Sequence, residues 1–446
     1  MSRHFDAIVV GSGTSAAYVL QGLLAAGRKV AVVEEGPFGG TCALRGCQPK
    51  KYLVANAEAV AQARDLLGRG IAEAPVPDWK GLQALKAEFL DGRPEAEFED
   101  WREAGATPIR GAARMTGRQE LTVEGEVLTA DHIVLATGSR SRRSGIPGSE
   151  HMGTSDDFLE LPAMPRRIVF LGGGYISFEF AHVAARQGAR VQVLDRSERP
   201  LKLFDADMVQ VVCAAGEEVG IHFVPEESAS AVEKSADGLV LHGSSGTAYE
   251  ADAIFEAIGR VPNLSVLAGE AGEVESGPRG VTVNEYLQST TNPHVFAVGD
   301  CAAAGAMLAT VADEQGKVVA RNIVEGVSHR PQSVPVPSTA FTIPNLASVG
   351  LSEEQARAEG RDFRVSRGTT TGWPSSQRIG EEHSAYKVLI DRQDDTILGA
   401  HLARHHAAET INLFALAVQH GITATTLADT LWAYPTMASD IKRMVR

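Results

Sequence analysis

The sequence contains no run of about 20 uninterrupted apolar residues, so no membrane-spanning helix is expected. Its first residues, Met-Ser-Arg-His-Phe, lack the apolar core of a signal peptide and lead straight into a strand-like run. Positive charge is in deficit. The 42 Lys and Arg stand against 56 Asp and Glu, a net charge of −14. That argues against a nucleic-acid partner, which calls for a basic patch, but leaves room for a local phosphate site. Cysteine is scarce, with four in the chain, which excludes a disulfide framework and suits a reducing cytoplasm. Short-period repeats and low-complexity tails are also missing. What remains is a chain of 446 residues, 44% hydrophobic and 22% charged. It reads as globular and too long for one core, so two to four domains are expected.

Two of the four cysteines lie close together. Residues 39 to 51 read Gly-Gly-Thr-Cys-Ala-Leu-Arg-Gly-Cys-Gln-Pro-Lys-Lys. A zinc site would need a second pair of ligands, and Cys213 and Cys301 are distant singletons. Gly39 and Gly40 permit close backbone approach. Pro49 suits the first turn of a helix, which places Lys50 and Lys51 in that turn. A thiolate near a helix start and a lysine is stabilised, and the thiolate is the reactive form. Cys42 and Cys47 therefore read as a redox dithiol; from spacing alone, two structural cysteines are the alternative.

Two stretches have the pattern of a dinucleotide-binding unit, which is strand, glycine turn, helix, strand and acid. In the first, Phe5 to Val10 is a buried strand, Gly11-Ser-Gly13 the turn, and Thr14 to Ala26 the helix, with Thr14 and Ser15 at its start. Lys29 to Glu34 is the second strand, ending at an acid placed to bind a ribose. Ala17 replaces the third glycine of the fingerprint, where alanine is allowed. In the second unit Arg167 to Leu171 is the strand and Gly172-Gly173-Gly174-Tyr175-Ile176 the turn and helix start. Ser177 stands where a glycine is common, and Arg190 to Leu194 leads to Asp195. An acid there favours a free ribose 2′-hydroxyl, whereas the basic Arg196, Arg199 and Lys202 favour a 2′-phosphate. A solvated charged loop, with Asp195 reading the ribose, is the alternative.

With the dithiol stretch and the two turns, Ala130 to Gly138, Ala251 to Asn263 and Thr291 to Asp300 complete a set of motifs in a recognisable order. The chain resembles the class I pyridine nucleotide–disulfide oxidoreductases along its whole length. It resembles glutathione reductases in particular, which share the Pro-Lys-Lys ending; dihydrolipoamide dehydrogenases and mercuric reductases are relatives. Ala130 to Gly138 reads as a buried strand, Arg110 to Thr129 as a small meander of strands, and Trp79 to Trp101 as a helical stretch broken near Gly92. The resemblance implies an α/β fold with two Rossmann-like domains and a C-terminal α+β dimerisation domain, with Ala251 to Asn263 as its return strand. The FAD-binding domain spans 1–147 and 264–330, the NAD(P)H-binding domain 148–263 and the interface domain 331–446.

FAD would be held by Gly11, Gly13, Thr14, Ser15, Glu34, Gly40, Thr41, Lys51, Thr137, Gly138 and Asp300. The nicotinamide nucleotide would be held by Gly172, Gly174, Tyr175, Ile176, Glu179, Asp195, Arg196, Lys202, Gly259 and Arg260. Arg196 and Lys202 match the basic positions of NADPH-using glutathione reductases, which makes NADPH the expected reductant, with NADH possible. By resemblance Tyr175 stacks over the flavin, and Glu179 pairs with Lys51 near flavin N5. Cys47 is the thiol nearest the ring, and Cys42 is the more exposed partner that attacks substrate. Two chains form a homodimer, each completing the other's active site.

The pattern breaks near the C-terminus. Glutathione and lipoamide enzymes carry His-Pro-Thr-x-x-Glu, whose histidine shuttles the proton of the interchange thiol. Here Tyr434 replaces the histidine and Ser439 the glutamate, with Asp440 one residue late. A tyrosine, ordinarily titrating near pH 10, is a poor base at neutral pH. Mercuric reductases share a tyrosine in that region but also carry a C-terminal cysteine pair, which this chain lacks. Gln21 stands where glutathione reductases usually have a substrate-binding arginine. The expectation is an NAD(P)H:disulfide oxidoreductase acting in cell redox homeostasis on a small disulfide. The alternative is a mercuric-reductase-like metal-ion or quinone reductase (diaphorase). Cys301 reads as buried and inert, Cys213 as a packed helical residue. His401, His405 and His406 read as solvated surface rather than metal ligands.

Overall fold

The computed structural model describes residues 3 to 446. The chain forms two compact units. The first takes in residues up to Lys51, then Ala84–Arg142 and Arg260–Ser333. The second takes in Tyr52–Gln83, Arg143–Gly259 and Val334–Arg446.

The first unit is built on a seven-stranded sheet. Its parallel part runs Thr107–Arg110, Val30–Glu34, Arg3–Val10, Glu126–Leu135 and Val295–Ala297. The apolar runs Ala7–Val10 and Val30–Val33 are buried, as strands covered on both faces must be. Glu120–Val123 and Ala113–Gly117 extend the edge antiparallel as the expected meander. Helices Thr14–Ala25 and Ala309–Glu325 pack together through small residues. A Cβ on Gly22 would stand 2.5 Å from that of Ala320, and one on Gly316 would stand 2.4 Å from the Ser15 carbonyl. The strand expected to end at Gly138 begins earlier and stops at Leu135. Ala136 still donates to the Val10 carbonyl at 2.8 Å, and Gly138, at φ +65°, turns the chain away.

The second unit holds a parallel sheet ordered Ile221–Val224, Arg190–Leu194, Arg167–Leu171 and Ala253–Glu256. A three-stranded antiparallel ribbon over 229–251 belongs to the same unit. Phe158 stacks on Phe180 at 4.2 Å and meets Phe255 edge-on at 5.4 Å, forming the apolar centre beside the parallel sheet. A separate five-stranded antiparallel sheet spans Ser338–Ala340 to Ile397–Arg404 and carries helix Ala407–His420. From this sheet the buried ammonium of Lys387 reaches Asp205, the N-cap of helix Ala206–Glu217, at 2.8 Å.

Two expectations need correction. The return strand expected over 251–263 is broken at Gly259, φ +105°. Ala253–Glu256 joins the second unit's sheet, whereas Arg260–Pro262 pairs antiparallel with Ser139–Ser141 in the first unit. His401 is buried rather than solvated: it sits in a strand, its ring nitrogens 3.0 Å from the Ser348 hydroxyl and 3.1 Å from the Leu351 carbonyl. Among the described residues no helix is long and apolar enough to cross a membrane.

Candidate active site

The two glycine turns are built alike. In each, the first glycine has a positive φ and lies so close to the sheet that no side chain fits. A Cβ on Gly11 would stand 2.2 Å from the Ala136 carbonyl oxygen, and one on Gly172 2.4 Å from that of Ala257. In each, the middle residue donates its N–H to the acid ending the second strand. Ser12 donates to Glu34 at 2.9 Å and Gly173 to Asp195 at 2.6 Å. The glycine in third position of each turn, Gly13 or Gly174, is open. Nothing stands within 4 Å of a Cβ on Gly174, and only Gly40 Cα, at 3.9 Å, approaches one on Gly13. Open glycine at the start of a helix leaves N–H groups facing a place where a phosphate can sit. The residues present therefore fit a pyrophosphate at both turns.

Glu34 is more committed than a ribose ligand alone. Besides the Ser12 amide it accepts the Ser12 hydroxyl at 2.8 Å and the Gly36 amide at 2.9 Å. Asp195 accepts from the Ser197 amide at 2.8 Å. Burial pushes the Asp195 carboxyl up, but the Gly173 and Ser197 bonds and the charge of Lys202 outweigh it and hold it below the usual range. Of the basic residues that follow, Arg199 donates to the carbonyls of Phe204 and Lys202, whereas Arg196 and Lys202 are exposed. Ser177 accounts for its own departure from glycine, since its buried hydroxyl donates to the Gly172 carbonyl. On the same helix Tyr175 is exposed at the start, and Glu179 is buried and accepts from the Phe341 amide at 2.8 Å.

The dithiol stretch sits on the first turn. Gly39 donates to the Ser12 hydroxyl at 3.0 Å, and a Cβ on Gly40 would lie 2.5 Å from Gly13 Cα. The two glycines thus serve an approach to the chain's own backbone as well as to a ligand. Cys42 lies in the short helix Gly40–Leu44, whose carbonyl at Thr41 accepts the Arg45 amide at 2.8 Å. Cys47 opens helix Cys47–Asp65, with Lys50 and Lys51 in its first turn as expected. The pair is a hydrogen-bonded dithiol. The Cys42 thiol is pushed well above the ordinary thiol range by its bond with Cys47, then by burial, by the charge of Cys47 and by Asp313. The bond to Cys47 and burial both act against ionisation of Cys42. The expected order of exposure is reversed: Cys47 is exposed at the helix start, whereas Cys42, inside its short helix, is half-buried.

Beside this stretch, the Thr137 hydroxyl donates to the Asn263 carbonyl at 2.6 Å. Ser139 donates to Asp300 at 2.6 Å and accepts from the Arg260 guanidinium at 2.8 Å. Arg260, expected to contact the nicotinamide nucleotide, thus lies in the first unit and is bonded to Ser139, while Gly259 ends a segment of the second. Cys301 is buried, and its thiol donates to the carbonyls of Leu135 and Val298. Burial pushes that thiol up, consistent with an inert role. Cys213 is half-buried on helix Ala206–Glu217.

At the C-terminus, Tyr434 is 68% exposed. Its loop closes on itself: Thr436 donates to the Ala433 carbonyl at 2.7 Å and Ser439 to the Thr436 carbonyl at 2.6 Å. Asp440 is committed elsewhere, to buried Arg404 at 2.7 Å and the Ser375 hydroxyl at 2.6 Å. Neither Ser439 nor Asp440 is placed as the partner that a histidine–glutamate dyad needs. Sequence reading missed Ser12, Ser139, Arg404 and Asp313. Only Ser12, inside a Gly-x-Gly turn, carried a local signal.

A chain with two phosphate-ready glycine turns and a dithiol seated on one of them is a nucleotide-dependent dithiol redox protein. Comparison with known proteins agrees. The model of the pyridine nucleotide–disulphide oxidoreductases matches residues 5–316, and that of their dimerisation domain matches residues 336–445. The chain belongs to this family, and is a flavin-dependent oxidoreductase of its disulfide reductase class. The glutathione reductase of Burkholderia cepacia is 33% identical over 448 residues, covering 98% of this chain and 97% of its own. The mercuric reductase of Bacillus cereus is 31% identical over 452 residues, covering 99% of this chain and 71% of its own. Among solved structures, the Cu(II) complex of the HOCl-induced flavoprotein disulfide reductase RclA from Escherichia coli superposes with a TM-score of 0.91 at 24% identity, covering 100% of this chain and 99% of its own. The family implies FAD and NAD(P)H as cofactors.

Proposed function

We propose that this chain is an NADPH-dependent disulfide reductase of the glutathione reductase kind, acting in the cytoplasm as a homodimer whose subunits share the active site. The observation that carries the reading is the Cys42–Cys47 dithiol seated on the first glycine turn, with Gly39 bonded to Ser12 and Gly40 packed on Gly13. FAD, when bound, would supply hydride acceptance from NADPH and two-electron reduction of the Cys42–Cys47 disulfide to the dithiol. Around it, Gly11, Gly13, Thr14 and Ser15 receive the pyrophosphate and Glu34 the adenosine ribose. Gly40, Thr41, Lys51, Thr137, Gly138 and Asp300 hold the rest. On the second unit, Gly172, Gly174, Tyr175, Ile176 and Glu179 receive the nicotinamide nucleotide. Gly259 and Arg260 complete the set. Cys47 carries the electron pair outward and Cys42 attacks the acceptor.

An anaerobic titration with NADPH, followed by oxidised glutathione, tests this. The reading expects a long-wavelength absorbance from the Cys47 thiolate, then rapid loss of that band on adding the disulfide. A band that glutathione disulfide and other small disulfides leave untouched would sink the disulfide reading and move the acceptor to metals or quinones.

NADPH rather than NADH is proposed because Arg196 and Lys202 are exposed while Arg199 is turned back on its own loop. Asp195 is held by the glycine turn and need not repel a phosphate from a free carboxylate position. Arg196→Ala with Lys202→Ala should raise KM for NADPH roughly 10- to 100-fold, the worth of one or two charge-assisted bonds. KM for NADH should stay within about two-fold. Equal losses for both nucleotides would remove the assignment.

A second reading, a metal-ion or quinone reductase, is favoured by one observation. Tyr434 stands in the histidine's place, and the acid that follows it, Asp440, is already paired with Arg404.

A further inference from the structure

Cys42 is half-buried and bonded to Cys47, which pushes its thiol up, and it must lose its proton to attack a disulfide. The histidine that relatives use is missing, Tyr434 is a poor base near neutrality, and Asp440 is bound to Arg404. The first unit has another carboxyl at hand. Asp313 stands on helix Ala309–Glu325, which packs face to face with helix Thr14–Ala25 through Gly316 and Ser15. The Thr14 hydroxyl donates to Asp313. Thr14 follows Gly13, the glycine on which Gly40 rests, and Cys42 lies two residues beyond Gly40. Asp313 and the dithiol thus lie about the same turn, and the Asp313 charge helps push the Cys42 thiol up.

Resting on the disulfide reductase reading, we propose that Asp313, aimed by Thr14, is the acid–base group that serves the Cys42 thiol in place of the missing histidine. The step balances as follows. Asp313 takes the proton of Cys42 as the Cys42 sulfur attacks one sulfur of the acceptor disulfide. A Cys42–acceptor bond forms and the acceptor's own S–S bond breaks. The first leaving thiolate takes the proton back from Asp313. The Cys47 thiolate then attacks the Cys42 sulfur, closing the Cys42–Cys47 disulfide and expelling the second thiolate, which is protonated by water. The acceptor gains two electrons, and NADPH later restores the dithiol through the flavin.

The surroundings suit this role. Burial pushes the Asp313 carboxyl up, and Lys317, one turn along the same helix, pulls part of that back. A raised carboxyl is nearer to the operating pH and so exchanges protons more effectively. The other titratable groups on the packed elements are Tyr18, whose ring carries Lys317 Nζ at 4.7 Å, Asp300, which accepts from Ser139, and the two cysteines.

Two measurements test the assignment. In a Cys47→Ser background, the rate of Cys42 alkylation by iodoacetamide is followed against pH, with and without Asp313→Asn. Removing the negative charge should shift the alkylation profile to lower pH and make Cys42 react faster at neutrality. In the enzyme with both cysteines, NADPH-driven reduction of the chromogenic disulfide dithiobis(nitrobenzoate) should fall on the order of 100-fold in Asp313→Asn. Asp313→Glu should recover much of it, and the acid limb of the pH profile should flatten. Faster alkylation combined with slower turnover is not what a loosened helix gives, since that would change flavin content and melting as well. Thr14→Val supplies a second variant that keeps the carboxylate but loses its aim, and should lower turnover without moving the alkylation profile to lower pH. Alkylation and turnover profiles in Asp313→Asn that match the parent would overturn the assignment. Disulfide reduction that survives Cys42→Ser in the parent enzyme sinks the disulfide reading itself, a failure distinct from the first.

Discussion

Cys42→Ser will stop disulfide turnover while leaving reduction of the flavin by NADPH intact. The loss should be on the order of 1000-fold or more, because a serine hydroxyl in the same place is neither an electron carrier nor a thiolate nucleophile. Cys42 is half-buried and bonded to Cys47. Its loss removes the bond that Cys47 would otherwise share, so the remaining thiolate should show its long-wavelength band without any reductant. Rapid mixing with NADPH, monitored at the flavin band, separates the two half-reactions. If the variant still reduces disulfides near the parent rate, electrons leave by another route and the dithiol is a bystander. If quinone reduction alone survives, the flavin is accessible to acceptors that never meet the cysteines, which is the diaphorase reading.

Arg404→Met will destabilise the C-terminal sheet of the second unit by about 3–5 kcal/mol, the usual consequence of leaving one buried charge without its partner. The Arg404 side chain is fully buried, and its Nη2 reaches Asp440 at 2.7 Å and Met437 Sδ at 3.0 Å. Among the described residues its Nε and Nη1 have no hydrogen-bond partner. A burial this expensive is stable only as a pair, so Arg404→Met with Asp440→Leu should be less destabilised than either single change. Thermal melting of the four proteins closes the cycle. Equal melting points in parent and Arg404→Met would mean that the pair contributes nothing. Met437 and Asp440 flank the loop that presents Tyr434, and Arg378 holds that loop from the other side through the Pro435 carbonyl at 3.2 Å. The single variant should therefore also become more sensitive to protease around Tyr434, while the double variant recovers.

The parts of this molecule that were legible in the sequence are those whose cause is local. Strand, glycine turn, helix, strand and acid follow one another within a few tens of residues, and the fold places Glu34 and Asp195 against their turns as that order requires. The helix start at Cys47 and the break at Gly92 are likewise local, one set by Pro49 and the other by a glycine at φ +68°. What escaped notice is non-local. An aspartate in the middle of an amphipathic helix gives no sign that a threonine hydroxyl from the far end of the chain bonds to it. The bond between Arg260 and Ser139 rests on a strand pairing across more than a hundred residues, which no local motif encodes. The reversed exposure of Cys42 and Cys47 depends on which side of a helix start faces inward, which spacing does not encode.

The Ser12 hydroxyl touches both ends of the machine. It donates to Glu34 and accepts from Gly39, so one rotor joins the acid meant for the adenosine ribose to the loop that carries the dithiol. Binding at one end and redox state at the other then share a term in free energy, and such a term is reciprocal. If closing the Cys42–Cys47 bond shifts the Gly39 amide, the affinity for FAD must change by a matching factor, and cofactor loading must displace the reduction potential of the pair by the equivalent amount.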